Sequence, residues 1–225
     1  MSIDSYGDFT LALLEAGFSL GGPNGEGIFT LCSRFGESVR WHTEDPETDP
    51  WEWRMRVLDE RNDIAYAKVF FNKSGFITEQ WYPYFLAARR RGKSFTEAYE
   101  DGEISHFAKR IYTLLLDNES LSFPALKQLG GFSKEDASRF EKSLVELQMK
   151  MFVTMCGRQR KRSRYGEEYG WNATVFCTAE NFFGTDVFER AAGITPQEAQ
   201  KVITAQINKL NPQAEGKKIR KSLFG

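Results

Sequence analysis

Residues 133–178 read SKEDASRFEKSLVELQMK, then MFVTMCG, then RQRKRSRYGEEYGW, then NATVFCT. The pattern predicts a helix, a strand, a long basic hairpin loop and a return strand. In the helix, Ala137, Phe140, Leu144 and Leu147 recur at the spacing of one buried stripe. Ser133 reads as its cap, with Asp136 at the third helical position. Lys134, Ser138, Arg139 and Lys142 fall on other faces. Met151, Val153 and Met155 share one face of the first strand, and Thr174 and Phe176 alternate with Val175 and Cys177 on the second. Between the strands, five of the seven residues from Arg158 to Arg164 are cationic, and Tyr165, Tyr169 and Trp171 follow. That density of like charge is self-repelling unless an anion lies opposite.

Working back, Ile104, Phe107, Ala108, Ile111, Leu114 and Leu115 give a clean helical stripe. Residues 122–129 form a short second helix ended by Gly130-Gly131. Three helices, a strand, a basic loop and a strand is the order of a winged helix-turn-helix. In such folds the last helix enters the major groove of DNA, and a basic wing follows phosphates or the minor groove. The expected nucleic-acid contacts are Arg158, Arg160, Lys161, Arg162 and Arg164 on the wing, with Lys134, Arg139 and Lys142 on the helix.

The first hundred residues are of another character. Residues 4–16 read as an amphipathic helix stopped by Gly17, and 21–27 as a glycine-rich loop without the GxxxxGK[ST] of a phosphate cradle. Residues 28–35 read as a strand. In WHTEDPETDPWEW (41–53), Asp49, Pro50 and Glu52 have the spacing of a capping box that opens a helix to about Arg61, with Trp51, Met55 and Leu58 on its stripe. Turn and cap chemistry accounts for most of these acids. The same text holds an acid cluster, His42, Glu44, Asp45 and Asp49, of the residue types that form a metal site or a general acid/base pair, and Asp45 and Asp49 stand as its candidate catalytic carboxylates. A strand at 64–71, a turn at 72–75 and Phe76-Ile77 read as a hairpin, and 82–91 as a helix. Trp81, Tyr82, Tyr84 and Phe85 read as core, Arg89, Arg90, Arg91 and Lys93 as a solvated helix end, and 95–103 as an acidic connection. After Thr178 come short helical pieces, a helix capped at Thr195-Pro196, and a basic tail from Lys217 to Lys221.

The chain has 225 residues, 41% hydrophobic and 27% charged, with no apolar run that would span a bilayer. Cys32, Cys156 and Cys177 form no CxxC pair, and the N-terminus lacks the basic region of a signal peptide, so a cytoplasmic protein is expected. The net charge of −1 divides unevenly: 11 Lys/Arg against 18 Asp/Glu in residues 1–103, and 19 against 13 thereafter. The expected fold class is α+β. An acidic, aromatic-rich α/β module (1–102) precedes a winged helix-turn-helix (103–178) and a C-terminal helical extension (179–225). With only two histidines, neither metal nor cofactor is expected, and the expected partner is DNA.

WHTEDPETDPWEW (41–53), YAKVFF (66–71), SGFITEQWYPYF (74–85), LGGF (129–132), LQMKMFVTMCGRQ (147–159) and GEEYGW (166–171) together resemble the bacterial AlkZ-related family over most of the chain. The resemblance implies a winged-helix relationship to DNA glycosylases of the AlkZ/YcaQ class, which remove alkylated or crosslinked bases, and hence a setting in DNA repair. Those enzymes are larger and use a Gln-x-Gln or Gln-x-Asp motif. Neither motif occurs here: Gln128, Gln148 and Gln159 are followed by Leu-Gly, Met-Lys and Arg-Lys. The leading expectation is DNA binding. The alternatives are a divergent glycosylase, with a pocket lined by Asp45, Asp49 and the Trp81–Phe85 aromatics, and a transcriptional regulator or protein-interaction module.

Overall fold

The computed structural model describes residues 2–23, 27–162, 165 and 168–224, with the backbone alone at 161, 162 and 168–171. One antiparallel sheet runs through the first 178 residues. Its strands are β1 (Phe18–Leu20), β2 (Ile64–Phe70), β3 (Lys73–Thr78), β4 (Leu121–Ser122), β5 (Val153–Arg162) and β6 (Glu168–Thr178), in the order β1-β3-β2-β5-β6-β4. β2 meets β5 at the pair Tyr66–Met155, so the acidic first half and the basic second half share a hydrogen-bonded sheet.

Register assigns the helices to faces. Tyr66 pairs with both Phe76 and Met155, and Met155 with Phe176, so these four side chains share a face. Helices α1 (Tyr6–Ala16) and α2 (Pro50–Glu60) pack there, Phe9 lying 5.2 Å from the Trp53 ring and 5.3 Å from Phe76. Phe18, paired with Ile77, points the other way and meets Phe85 of α3 (Tyr82–Arg90) at 5.2 Å. In α2 the core stripe is Trp53, Met55, Val57 and Leu58. Trp51, expected on that stripe, is 42% exposed.

The hairpin turn also differs from expectation. Its central residues are Phe71 and Asn72, with φ of 54° and 59°, as a two-residue turn of type I′ requires. Gly75 lies within β3, where a Cβ would stand 2.4 Å from the Phe70 ring. Residues 31–34 form a 3-10 turn instead of a strand, because the Thr30 hydroxyl takes the Cys32 N–H. The acidic connection holds α4 (Phe95–Glu100), opened by a Ser94–Glu97 capping box.

Two of the three arginines expected at a solvated helix end, Arg89 and Arg90, turn inward, while Arg91 is exposed. Arg89 donates to the carbonyls of Leu223 (3.0 Å), Met149 (2.7 Å), Val69 (2.7 Å) and Ser222 (2.8 Å). Arg90 donates to Met151 O and to Glu180 at 2.7 Å, lying 4.1 Å over the Phe152 ring. Arg89 therefore ties α3 to β2, to the end of α7 (Ala137–Met149) and to α11 (Gly216–Phe224). The basic tail is this docked last helix. Between them, α8 (Ala179–Phe183), α9 (Asp186–Ala192) and α10 (Pro196–Leu210) follow β6, and α10 lies along α3.

In the C-terminal half, α5 (His106–Asp117), β4, α6 (Phe123–Leu129), α7, β5 and β6 follow in order. β4 is unannounced by the hydrophobic pattern. Its two residues pair with Phe176 and Val175 of β6. Ser133 and Asp136 exchange the reciprocal bonds of a capping box, and the α-helix begins one residue later, at Ala137.

Candidate nucleic-acid interface

β5 and β6 remain paired out to Arg162 and Glu168, beyond the last contact with β2 or β4. Among the described residues, the outer part of this pair is a two-stranded ribbon. Shifts of register at Met155/Gly157 and Gln159/Lys161 mark bulges, and bulges bend and twist a strand pair.

Arg158 begins the cationic run and faces inward to α2. Its Nη1 is 2.9 Å from Glu52 Oε2 and its Nε 3.0 Å from Asp59 Oδ2. The Glu52 side chain thus serves the ribbon and not the capping box, although Asp49 does cap α2. About a third exposed, these pairs stabilise the contact by on the order of 0.5–1 kcal/mol each. Arg160 is exposed and donates from Nε to Asn172 Oδ1 at 3.3 Å. Lys161 and Arg162 lie in register with Tyr169 and Glu168, their side chains outside the described residues. Arg164 lies outside the described residues altogether.

A groove of about 1040 Å³ separates α2 from the ribbon. One wall carries His42, Trp51, Arg54, Glu52 and Asp59. The other carries Arg158, Arg160 and Asn172. A second cleft of about 420 Å³ continues along the same sheet face toward α7, sharing Asn172 and Thr174 and walled by Glu141, Leu144 and Gln148. Gln148 is buried; its carbonyl accepts the Lys68 N–H at 2.9 Å and its amide donates to Leu144 O at 2.9 Å. It therefore satisfies a β2 backbone group that β5 leaves unpaired.

Lys134, Arg139 and Lys142 are all exposed. Arg139 lies 5.6 Å from the Phe107 ring of α5. His106, Lys109 and Arg110 line a shallow cavity of about 330 Å³ on the same helix. Arg110 donates to Gly130 O at 2.7 Å and stacks at 4.5 Å on Phe132. These basic groups had no mark in the sequence beyond helical spacing.

The two candidate catalytic acids are engaged locally. Asp49 is fully buried; Oδ1 accepts the Trp51 N–H at 2.8 Å, and Oδ2 accepts those of Thr43 and Glu44 at 2.8 and 3.0 Å. Asp45 is exposed and accepts the Glu47 N–H and the Thr48 hydroxyl, which hold its carboxyl below the ordinary range. Tyr82 and Phe85 are core residues, and none of the Trp81–Phe85 aromatics lines the groove. Of the acid cluster read from the sequence, Glu44 lines the groove with Asp49 beneath it and Asp45 does not, and Glu52 and Asp59 of α2 add two further carboxylates. The 41–53 segment was legible as distinctive. That it would face the ribbon depends on pairing across the sheet. Among the described residues no cluster of three His, Cys, Asp or Glu could hold a metal ion, and no helix is long and apolar enough to cross a membrane.

The fold is a six-stranded antiparallel sheet with helices on both faces. The chain belongs to the AlkZ-related family, whose sequence model matches residues 3–224. Among solved structures it is similar to Streptomyces sahachiroi DNA glycosylase AlkZ, with a TM-score of 0.39 and 12% identity over 78% of this chain and 50% of that one. The chain thus spans half the length of that protein. No curated protein matches it.

Proposed function

We propose that this protein binds DNA through a winged helix-turn-helix formed by residues 103–178, with 1–102 and 179–225 packed as its flanking modules. The observation that carries this reading is the ribbon. A cationic strand pair continues past every neighbouring strand, and a two-stranded ribbon fits a DNA groove or tracks its phosphates. The order α5-β4-α6-α7-β5-β6, with β4 closing on β6, supports it. So does membership of the AlkZ-related family, a name that points to DNA repair. Arg160, Lys161, Arg162 and Arg164 contact phosphates in this reading, Lys134, Arg139 and Lys142 add helix contacts, and Arg158 anchors the ribbon. The test is fluorescence anisotropy with a labelled duplex across a salt series. Binding that weakens steeply with salt is expected. Binding that survives neutralisation of the ribbon overturns the assignment.

A second reading, a divergent glycosylase, is favoured by one observation: Glu44, Glu52 and Asp59 line the groove at the foot of the ribbon. Cleavage of a glycosidic bond needs negative charge beside a developing oxocarbenium ion. Release of free base from an alkylated duplex, lost in Glu44→Gln or Asp59→Asn, establishes this reading. Its absence across alkylated and crosslinked duplexes rejects it.

A further inference from the structure

The groove wall opposite the ribbon carries a feature that phosphate binding does not use. Trp51 is 42% exposed at the start of α2. The Arg54 guanidinium lies 3.3 Å from its ring centroid, fixed by a 2.9 Å bond from Arg54 Nε to Trp51 O. The His42 ring stands 4.9 Å away, tilted by 54°. These three residues line both the groove facing the ribbon and a neighbouring cleft of about 520 Å³ that contains Tyr66 and Gly21. They form a ridge between two open clefts.

The ridge is held rigidly. His42 and Glu44 adopt φ of 63° and 62°, a left-handed conformation that costs a non-glycine residue on the order of 1 kcal/mol. The buried Asp49 carboxylate holds the loop there by accepting three backbone N–H groups. A folded domain ordinarily buries such an indole, as Trp53 two residues on is buried. Here a strained, pinned loop presents it beside a groove whose far wall is cationic.

The charges in the groove select what can enter. Glu44, Glu52 and Asp59 repel phosphate from the α2 wall, and two of them already neutralise Arg158. Carboxylates accept from the amino groups of bases, planar guanidinium groups stack on base faces, and aromatic rings do the same. We infer that the Trp51–Arg54–His42 ridge stacks unpaired nucleobases, so that the protein binds junctions between single- and double-stranded nucleic acid, the ribbon holding phosphates of the duplex arm and the ridge taking bases of the unpaired arm. This inference rests on the DNA-binding reading.

The experiment compares a blunt duplex with the same duplex bearing a short single-stranded overhang, by fluorescence anisotropy at fixed salt. The wild type is expected to bind the overhang substrate several-fold or more tightly, as expected when stacking one base is worth about 1–3 kcal/mol. Trp51→Ala is expected to remove that preference and leave blunt-duplex affinity unchanged. Trp51→Phe is expected to keep part of it. Thermal melting checks that each variant is folded, as expected for an exposed side chain, and Arg54→Ala supplies an independent variant of the same ridge. Equal binding of the two substrates by the wild type, or equal loss on both in Trp51→Ala, overturns the ridge assignment while leaving the ribbon intact. Failure to bind either substrate overturns both readings.

Discussion

Arg158 of the ribbon and Glu52 of α2 lie 106 positions apart in the chain and 2.9 Å apart in space. With Asp59 one further partner at 3.0 Å, the pair orients the root of the ribbon, and under the DNA-binding proposal it withholds one cation from the duplex. Glu52→Gln combined with Asp59→Asn should therefore free Arg158 and raise duplex affinity several-fold at low salt. Arg158→Ala should leave duplex affinity nearly unchanged and lower stability by about 1 kcal/mol. Anisotropy and chemical denaturation of the wild type, these two variants and Arg160→Ala check this. A larger affinity loss for Arg158→Ala than for Arg160→Ala contradicts it.

The outer ribbon is expected to act through phosphates. Converting Arg160, Lys161 and Arg162 to Gln together should lower the slope of log affinity against log salt by about one for each phosphate that is no longer neutralised. The same change should weaken binding to all sequences alike, since phosphate contacts carry no base information. A loss restricted to one duplex sequence contradicts the phosphate assignment.

Asp49 is expected to matter for stability and not for chemistry. Its carboxylate takes three backbone N–H groups, so Asp49→Ala should cost at least the 1–2 kcal/mol typical of removing a helix cap, and expose the 42–49 loop. Denaturation curves and hydrogen exchange at Thr43, Glu44 and Trp51 measure it. A variant as stable as wild type contradicts the placement.

The caps also set a pH dependence. Asp8, Glu97 and Asp136 each accept bonds from a serine hydroxyl and from backbone, which hold their carboxyls below the ordinary range in the folded state. A folded pKa below the unfolded one gives stability that is present above the unfolded carboxylate value, about 4, and is lost as pH falls through the folded one. The melting temperature should thus fall as pH drops below about 4. Ser94→Ala and Ser133→Ala together should flatten that fall, as read by thermal melts from neutral pH downward.

What the chain determined by itself was local. The stripe of α7, the stripe of α5, the cap at Asp49 and the cationic run after Gly157 all follow from spacing and side-chain chemistry within a dozen residues. Three features were decided only by the tertiary structure. Arg89 and Arg90, which read as an exposed basic end, turn inward because carbonyls from β2, from the end of α7 and from α11 converge on Arg89, and the Met151 carbonyl meets Arg90. Leu121-Ser122 is a strand only because β6 supplies its partner. Trp51 and Trp53 fall on different sides of α2, and which of them is buried was decided by the packing of α1 against the Trp53 side. The ribbon's basic hairpin was legible from Arg158 onward, but its facing wall was not. Asp45 and Asp49 drew notice as acids in a distinctive segment. Glu52 and Asp59 line the groove because the β2–β5 pairing sets α2 beside the ribbon, an approach of residues too far apart in sequence for any periodicity to record.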